Sequence, residues 1–234
     1  TNLRLVERAQ VQRGPVAPRR ARNLTLGLAI GLVVGLGLVW VFEHLDNTLK
    51  TPEDVKAHLG VPVLGMIPEL RSAPGAPSTA GADAIGEQSA AADAYRVLRT
   101  NLLFSSAEAV GRAYLVTSAS PGEGKTTTVA NLATALARNG ARVLAVDADL
   151  RRPTLHQHFD VEKAPGLSDL IVGNIGLVEG AQHTKIRGLQ VLPAGYLPPN
   201  PAELLGSASM RDLLGLLRKR FDWVRFDAPP VLAM

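Results

Sequence analysis

The chain contains no cysteine, so neither a disulfide framework nor a cysteine metal centre is available to it, a usage that suits a reducing compartment. Aromatic residues are sparse, at 4% of 234 positions, and the only tyrosines, Tyr95, Tyr114 and Tyr196, stand apart from one another. A strongly basic domain is also missing. The net charge of +4 comes from residues 1–22, where six arginines face one glutamate, and the remaining residues sum to about −1. A basic arm is therefore present without a basic domain, and nucleic acid is not an expected partner.

One stretch lacks charge altogether. Leu24 to Phe42, LTLGLAIGLVVGLGLVWVF, is long enough at ~1.5 Å per residue to cross most of a ~30 Å hydrocarbon core. It predicts one transmembrane helix over residues 23–42 in preference to a buried core helix, which rarely runs so far without a polar position. A signal peptide is disfavoured because no small-residue cleavage site follows. Gly27, Gly31 and Gly35 would place small residues along one face, where a second helix could approach. The flanking charges conflict with a cytoplasmic C-terminal side, since Arg13, Arg19, Arg20 and Arg22 precede the span while Lys50 and Lys56 follow. A segment after the span whose chemistry is cytoplasmic would override that bias.

Beyond the span, TPEDVKAHLG predicts a short helix with Thr51 as cap, Pro52 in the first turn and Gly60 as stop. Residues 43–70 thus form a juxtamembrane segment ending in the apolar extended stretch VPVLGMIP. Residues 71–92, rich in Ala, Gly, Ser and Pro, read as a flexible linker. A nucleotide module then occupies 93–234, opening with an amphipathic helix in DAYRVLRTNLLFS.

Within that module RAYLVTSA reads as a strand, SASPGEGKTTT as a glycine-rich loop and TTVANLATALARNG as a helix, the context a phosphate-binding loop requires. Ala119 replaces the first glycine of the motif, where a small side chain suffices. The candidate nucleotide-binding residues are Ser120, Pro121, Gly122, Glu123, Gly124, Lys125, Thr126 and Thr127. Backbone N–H groups would cradle phosphate at a helix N-terminus, Lys125 would reach the β- and γ-phosphates, and Thr126 would hold Mg²⁺. The buried run Val143–Val146 delivers Asp147 and Asp149 to the carboxyl end of a strand, where open α/β sheets bind ligands. One aspartate can help hold Mg²⁺ and the other can accept a proton. Asp227 ends the run from Trp223 to Phe226 in the manner of a Walker B acid, although Arg225 interrupts it. That arginine is expected either near an edge of the buried layer or paired with an acid.

Taken together, SASPGEGKTTTVANLA, VDADLRRP, PGLSDLIVGN, LPAGYLPPNPAELL and FDWVRFDAPPVL resemble the bacterial tyrosine autokinases of capsule and exopolysaccharide synthesis. In that family a chain-length-determinant domain precedes a glycine-rich transmembrane helix and a LDNTLKTPEDV segment, so residues 1–22 resemble the end of an extracytoplasmic domain. The resemblance implies an α/β fold, a P-loop NTPase-type doubly wound parallel sheet incomplete at its C-terminus and preceded by one transmembrane helix. It implies ATP and Mg²⁺ as cofactors, with Asp147 and Asp227 completing the metal shell and Asp149 serving as the base for a tyrosine hydroxyl. Ser120 stands where related ParA/MinD-like ATPases carry an additional lysine, which argues against that branch. Asp93, Arg96 and Arg99 resemble the family's oligomerisation motif, with aspartate in place of glutamate.

The implied setting is the bacterial inner membrane, with the lipid bilayer, further copies of the chain, a polysaccharide polymerase and export machinery, and a tyrosine phosphatase as partners. The chain begins at Thr1 and ends seven residues past Asp227 without a tyrosine cluster, so it is expected to be a fragment of such a kinase. A membrane-tethered ATPase and a non-catalytic co-polymerase subunit are the competing expectations.

Overall fold

The computed structural model describes residues 19–45, 51–68, 89–105 and 112–233. The chain divides into two units, Thr1–Pro62 and Val63–Met234. Residues 1–18 of the arm expected over 1–22, and residues 71–88 of the linker expected over 71–92, lie outside the described residues.

In the first unit, α1 runs from Arg20 to Leu45 and is longer at both ends than the uncharged run alone indicates. Its 26 residues measure about 39 Å, enough to span a ~30 Å hydrocarbon core. None of them is buried against the chain, so α1 is a candidate membrane span and does not form part of a core. Helix α2, Pro52–Leu59, starts as its sequence predicts. The Thr51 hydroxyl accepts the Asp54 N–H at 3.2 Å, and the Asp54 carboxylate accepts the Thr51 N–H at 3.1 Å. Gly60 closes the helix at φ 65°, a left-handed conformation that suits glycine.

Among its described residues, the second unit has five strands: β1 Arg112–Val116, β2 Val143–Asp147, β3 Gln182–His183, β4 Leu189–Leu192 and β5 Trp223–Asp227. Their order across the sheet is β1-β5-β2-β4-β3, and only the β3–β4 pair is antiparallel. Helices α3 (Ala90–Ser105), α4 (Lys125–Arg138), α5 (Leu155–Phe159), α6 (Leu167–Val172), α7 (Leu177–Gly180), α8 (Pro201–Leu205) and α9 (Ala208–Arg220) complete the unit.

Strand alternation sorts the side chains into two apolar layers. Val143, Ala145, Leu189, Val191 and Trp223 meet α3, α4 and α5 on one face. Leu144, Val146, Leu192, Val224 and Phe226 meet α6 and α9 on the other. Leu64 and Ile67 also pack against the first layer, and the Leu64 carbonyl accepts from the Asn101 amide at 2.7 Å. Helix α3 begins at Ala90, so residues 90–92 are helical where composition suggests linker. Alanine is the strongest helix former, and the Ser89 hydroxyl caps the Ala92 N–H at 3.1 Å.

Arg225 satisfies neither expectation drawn from its sequence. Strand β5 is central, Arg225 is fully buried, and its three guanidinium nitrogens have no hydrogen-bond partner. Its charge rests instead between rings, 4.4 Å from the centre of Tyr114 and 4.5 Å from that of Trp223. Arg112 covers Trp223 at 4.6 Å. Burial lowers the Arg225 pKa to about 10, which leaves it protonated at neutral pH. Ring contacts of this kind contribute up to about 2 kcal/mol, whereas desolvating an unpaired cation costs several. Arg225→Met is therefore expected to raise the unfolding free energy by about 1–3 kcal/mol in denaturant titrations, and a loss of stability would contradict this account.

Close backbone approach fixes the turn before α6. A Cβ on Gly166 would lie 2.2 Å from the Pro193 carbonyl oxygen and 2.5 Å from the Gly195 nitrogen. The Gly166 N–H also donates to the Asp169 carboxylate at 2.9 Å. Gly166→Ala should lower stability by about 2 kcal/mol or more, measured by the same titration.

Candidate nucleotide-binding site

The phosphate-binding loop follows β1 and is held from behind by the chain that leaves β5. Val231 and Leu232 donate backbone bonds to the carbonyls of Ser118 and Ala119 at 2.9 and 3.1 Å, and the Thr117 hydroxyl donates to the Pro229 carbonyl at 2.8 Å. Inside the loop, the Ser118 hydroxyl donates to the Ser120 carbonyl at 2.9 Å, and the Glu123 carboxylate accepts the Ala119 N–H at 3.0 Å. Gly122 and Gly124 take φ values of 84° and 83°, and a Cβ on either would meet nothing within 4 Å. Helix α4 starts at Lys125 without a side-chain cap, so its first N–H groups and the positive end of its dipole face that open space. Such a terminus is suited to phosphate.

The parallel register supplies the carboxylates. Val116, Asp227 and Asp147 are aligned at the carboxyl ends of β1, β5 and β2. The Lys125 ammonium lies 3.0 Å from Asp149 and 3.5 Å from Asp227. The Thr126 hydroxyl donates to Asp227 at 2.6 Å. Lys125, Thr126, Asp149 and Asp227 are thus brought together.

Asp147 is oriented differently. One of its oxygens accepts the Leu155 N–H at 3.0 Å and the other the Asp149 N–H at 3.3 Å, which ties the start of α5 to the end of β2. Asp149 in turn accepts the N–H groups of Arg151 and Arg152 through Oδ1, leaving Oδ2 toward Lys125. Pro121 is exposed at the loop tip, and the Thr127 carbonyl, one turn into α4, accepts from the Asn131 amide at 2.8 Å. Thr154 was not singled out by motif spacing. Its hydroxyl lies 3.4 Å from that of Thr126, and the signal for it is a short hydroxyl residue placed just before the helix that follows the aspartate pair.

Electrostatically the site holds three carboxylates against one ammonium. Burial, then the charge of Asp227, push the Asp147 carboxyl up to about 7. Burial also raises Asp227, opposed by the Thr126 hydroxyl and the Lys125 charge. The site is therefore short of positive charge.

The oligomerisation candidates part company. Asp93 and Arg96 form an exposed ion pair within α3. Arg99 instead turns toward α4, donating to the Ala135 carbonyl at 3.2 Å, and its buried Nε finds no partner.

The fold and loop define a P-loop nucleotide-binding module. The AAA domain family matches residues 115–234. The tyrosine-protein kinase Etk of Escherichia coli K12 is 33% identical over 250 residues, covering all of this chain and 34% of the relative. The tyrosine-protein kinase YwqD of Bacillus subtilis is 44% identical over 140 residues, 60% of this chain and 59% of the relative. Among solved structures, the kinase domain of E. coli Etk superposes with a TM-score of 0.70 at 34% identity, over 79% of this chain and 74% of that one. The BceF tyrosine kinase domain gives 0.70 at 33% identity, over 79% and 78%. The chain belongs to the AAA-domain family and, within it, to the bacterial tyrosine kinases. It spans about a third of the length of the curated relatives that it matches from end to end.

Lys125→Met removes the ammonium that lies between Asp149 and Asp227 at the start of α4. It should weaken nucleoside triphosphate binding by roughly 10- to 100-fold in calorimetric titration, and unchanged affinity would refute the site.

Proposed function

We propose that the chain is the membrane-anchored nucleotide-binding part of an ATP- and Mg²⁺-dependent protein-tyrosine autokinase that regulates polymerisation and export of a capsular polysaccharide or exopolysaccharide. The observation that carries this reading is the contact of Lys125 with both Asp149 and Asp227, beside the Thr126 hydroxyl.

Mg²⁺ fits this donor set. No group of three His, Asp or Glu side chains among the described residues is spaced to hold a metal alone. Mg²⁺ typically takes one or two carboxylates, with water and phosphate oxygens filling the remaining positions. Thr126 and Asp227 would hold the ion, with Asp147 behind them, and the excess of carboxylate charge favours a divalent cation. Bound there, the ion would neutralise charge on the transferring phosphoryl group. Lys125 would turn from the carboxylates to the phosphates, and the N–H groups of the loop from Ser120 to Thr127 would fix their position. Asp149 Oδ2, released by Lys125, would accept the proton of the attacking tyrosine hydroxyl, forming the P–O bond as the bond to the leaving diphosphate breaks.

Asp93 and Arg96, exposed on α3, support a role in self-association, with Arg99 setting the stance of that helix on α4. Helix α1 supports placement in the bacterial inner membrane with the module in the cytoplasm. The polymerase, the export machinery and a tyrosine phosphatase are the partners that the family resemblance supports.

The test is made on the full-length protein in membranes, incubated with Mg²⁺ and γ-labelled ATP. Phosphotyrosine should form in the wild type. Asp149→Asn should retain nucleotide affinity within about threefold while losing phosphotyrosine by roughly 100-fold or more. Released phosphate without phosphotyrosine in the wild type would replace the kinase with an ATPase.

A further inference from the structure

The end of the sheet away from the P-loop carries a concentration of positive charge. A hollow of about 670 Å³ opens between the last turn of α4 and the turn leading into β4, with Arg138, Arg142, Lys185 and Arg187 in its lining. A second hollow shares Arg142 and Gly188 with the first and adds Arg220. A third shares Arg220 with the second and continues along α9 past Arg211, Leu216 and Lys219. The three form one continuous strip. Asp222 pairs with Arg142 at 2.8 Å, Asp160 pairs with Lys185 at 3.0 Å, and Asp212 lies beside Arg211. Arg187, Arg211, Lys219 and Arg220 have no ion-pair partner among the described residues. Leu216, half exposed, sits among these cations.

Helix dipoles account for part of the pattern, since cations are favoured at the C-termini of α4 and α9. They do not account for Lys185 and Arg187, which lie between β3 and β4 and at no helix end. Three segments distant in sequence, the end of α4 with the turn after it, the β3–β4 turn and α9, bring an excess of cations to one face, although the chain past residue 22 is close to neutral.

We propose that this strip docks the nucleotide module on the anionic headgroups of the bilayer that holds α1. The inference rests on the reading of α1 as a membrane span. That span belongs to the same chain, so the strip would meet the bilayer at high effective concentration. Linked hollows that spread the charge over a face suit an extended anionic surface better than a single small anion. Long cationic side chains around one exposed leucine are the composition of an interfacial contact. Docked this way, the P-loop end faces away from the lipid, open to nucleotide and acceptor.

The absence of cysteine makes the test direct. Single cysteines are introduced in the full chain at Gly215, where added atoms meet open space, and at Tyr196, 74% exposed beyond the carboxyl end of β4. Each is labelled with a fluorophore and the protein is reconstituted into phosphatidylcholine bilayers with or without phosphatidylglycerol, containing a headgroup-level quencher lipid. Alkaline carbonate extraction reports insertion, and a fluorescent ATP analogue reports the nucleotide site.

Quenching is expected at Gly215→Cys and not at Tyr196→Cys, only with phosphatidylglycerol, and is reversed by high salt. Neutralising Arg187, Arg211, Lys219 and Arg220 to Gln should weaken it by roughly 100-fold in apparent affinity while analogue binding is unchanged. Inserted protein whose quenching ignores lipid charge or the four substitutions overturns the docking alone, and would direct the strip to a protein or polymer partner. Failure of α1 to insert overturns the anchor and the docking together, and loss of analogue binding in the unsubstituted chain overturns the kinase reading.

Discussion

The ammonium of Lys125 joins three parts of the chain that are otherwise remote. It belongs to the first turn of α4, and its contacts are Asp149, just past β2, and Asp227, at the end of β5. Those carboxylates are near each other because β1, β5 and β2 run parallel in register, which brings their carboxyl ends to one level. The hydrogen bonds of the sheet thus set the spacing of charges, and the lysine offsets the repulsion that this spacing creates. The remaining charge imbalance, visible in the raised carboxyls of Asp147 and Asp227, is what a bound divalent cation would offset.

Features governed by neighbours in sequence were legible before the fold was known. The Thr51 cap, the glycine-rich loop between a strand and a helix, and the delivery of Asp147 by an apolar strand follow from local rules. Features governed by distant partners were not. Arg225 reads as a flaw in a buried strand until Tyr114, 111 positions earlier, is placed opposite it in register, and no local pattern predicts that pairing. Residues 90–92 were misread for another reason: alanine is common in linkers and is also the best helix former, and the decision lay with the Ser89 cap and the face that α3 packs on α4.

Charge shows the same divide between composition and arrangement. Summed along the sequence, the residues past the arm nearly cancel. Folded, the carboxylates Asp147, Asp149 and Asp227 gather at the carboxyl ends of the parallel strands, and many of the arginines and lysines gather at the amino ends, so a near-neutral chain becomes a polarised body. Parallel topology favours this separation because it places loops of one kind together at each end of the sheet.

The position of β5 has a consequence for how the chain comes into being. Among the strands of the described residues it comes last in sequence, yet it lies between β1 and β2. The first strand therefore has no native neighbour on that side until Trp223 has been made, 107 residues after Val116. At about 5–20 residues per second of synthesis, β1 waits on the order of 5–20 s for its partner. Asp227 arrives with that strand, so the carboxylate that accepts from Thr126 joins the glycine-rich loop only then, and a chain interrupted before it would leave the ribosome with the loop but without that carboxylate.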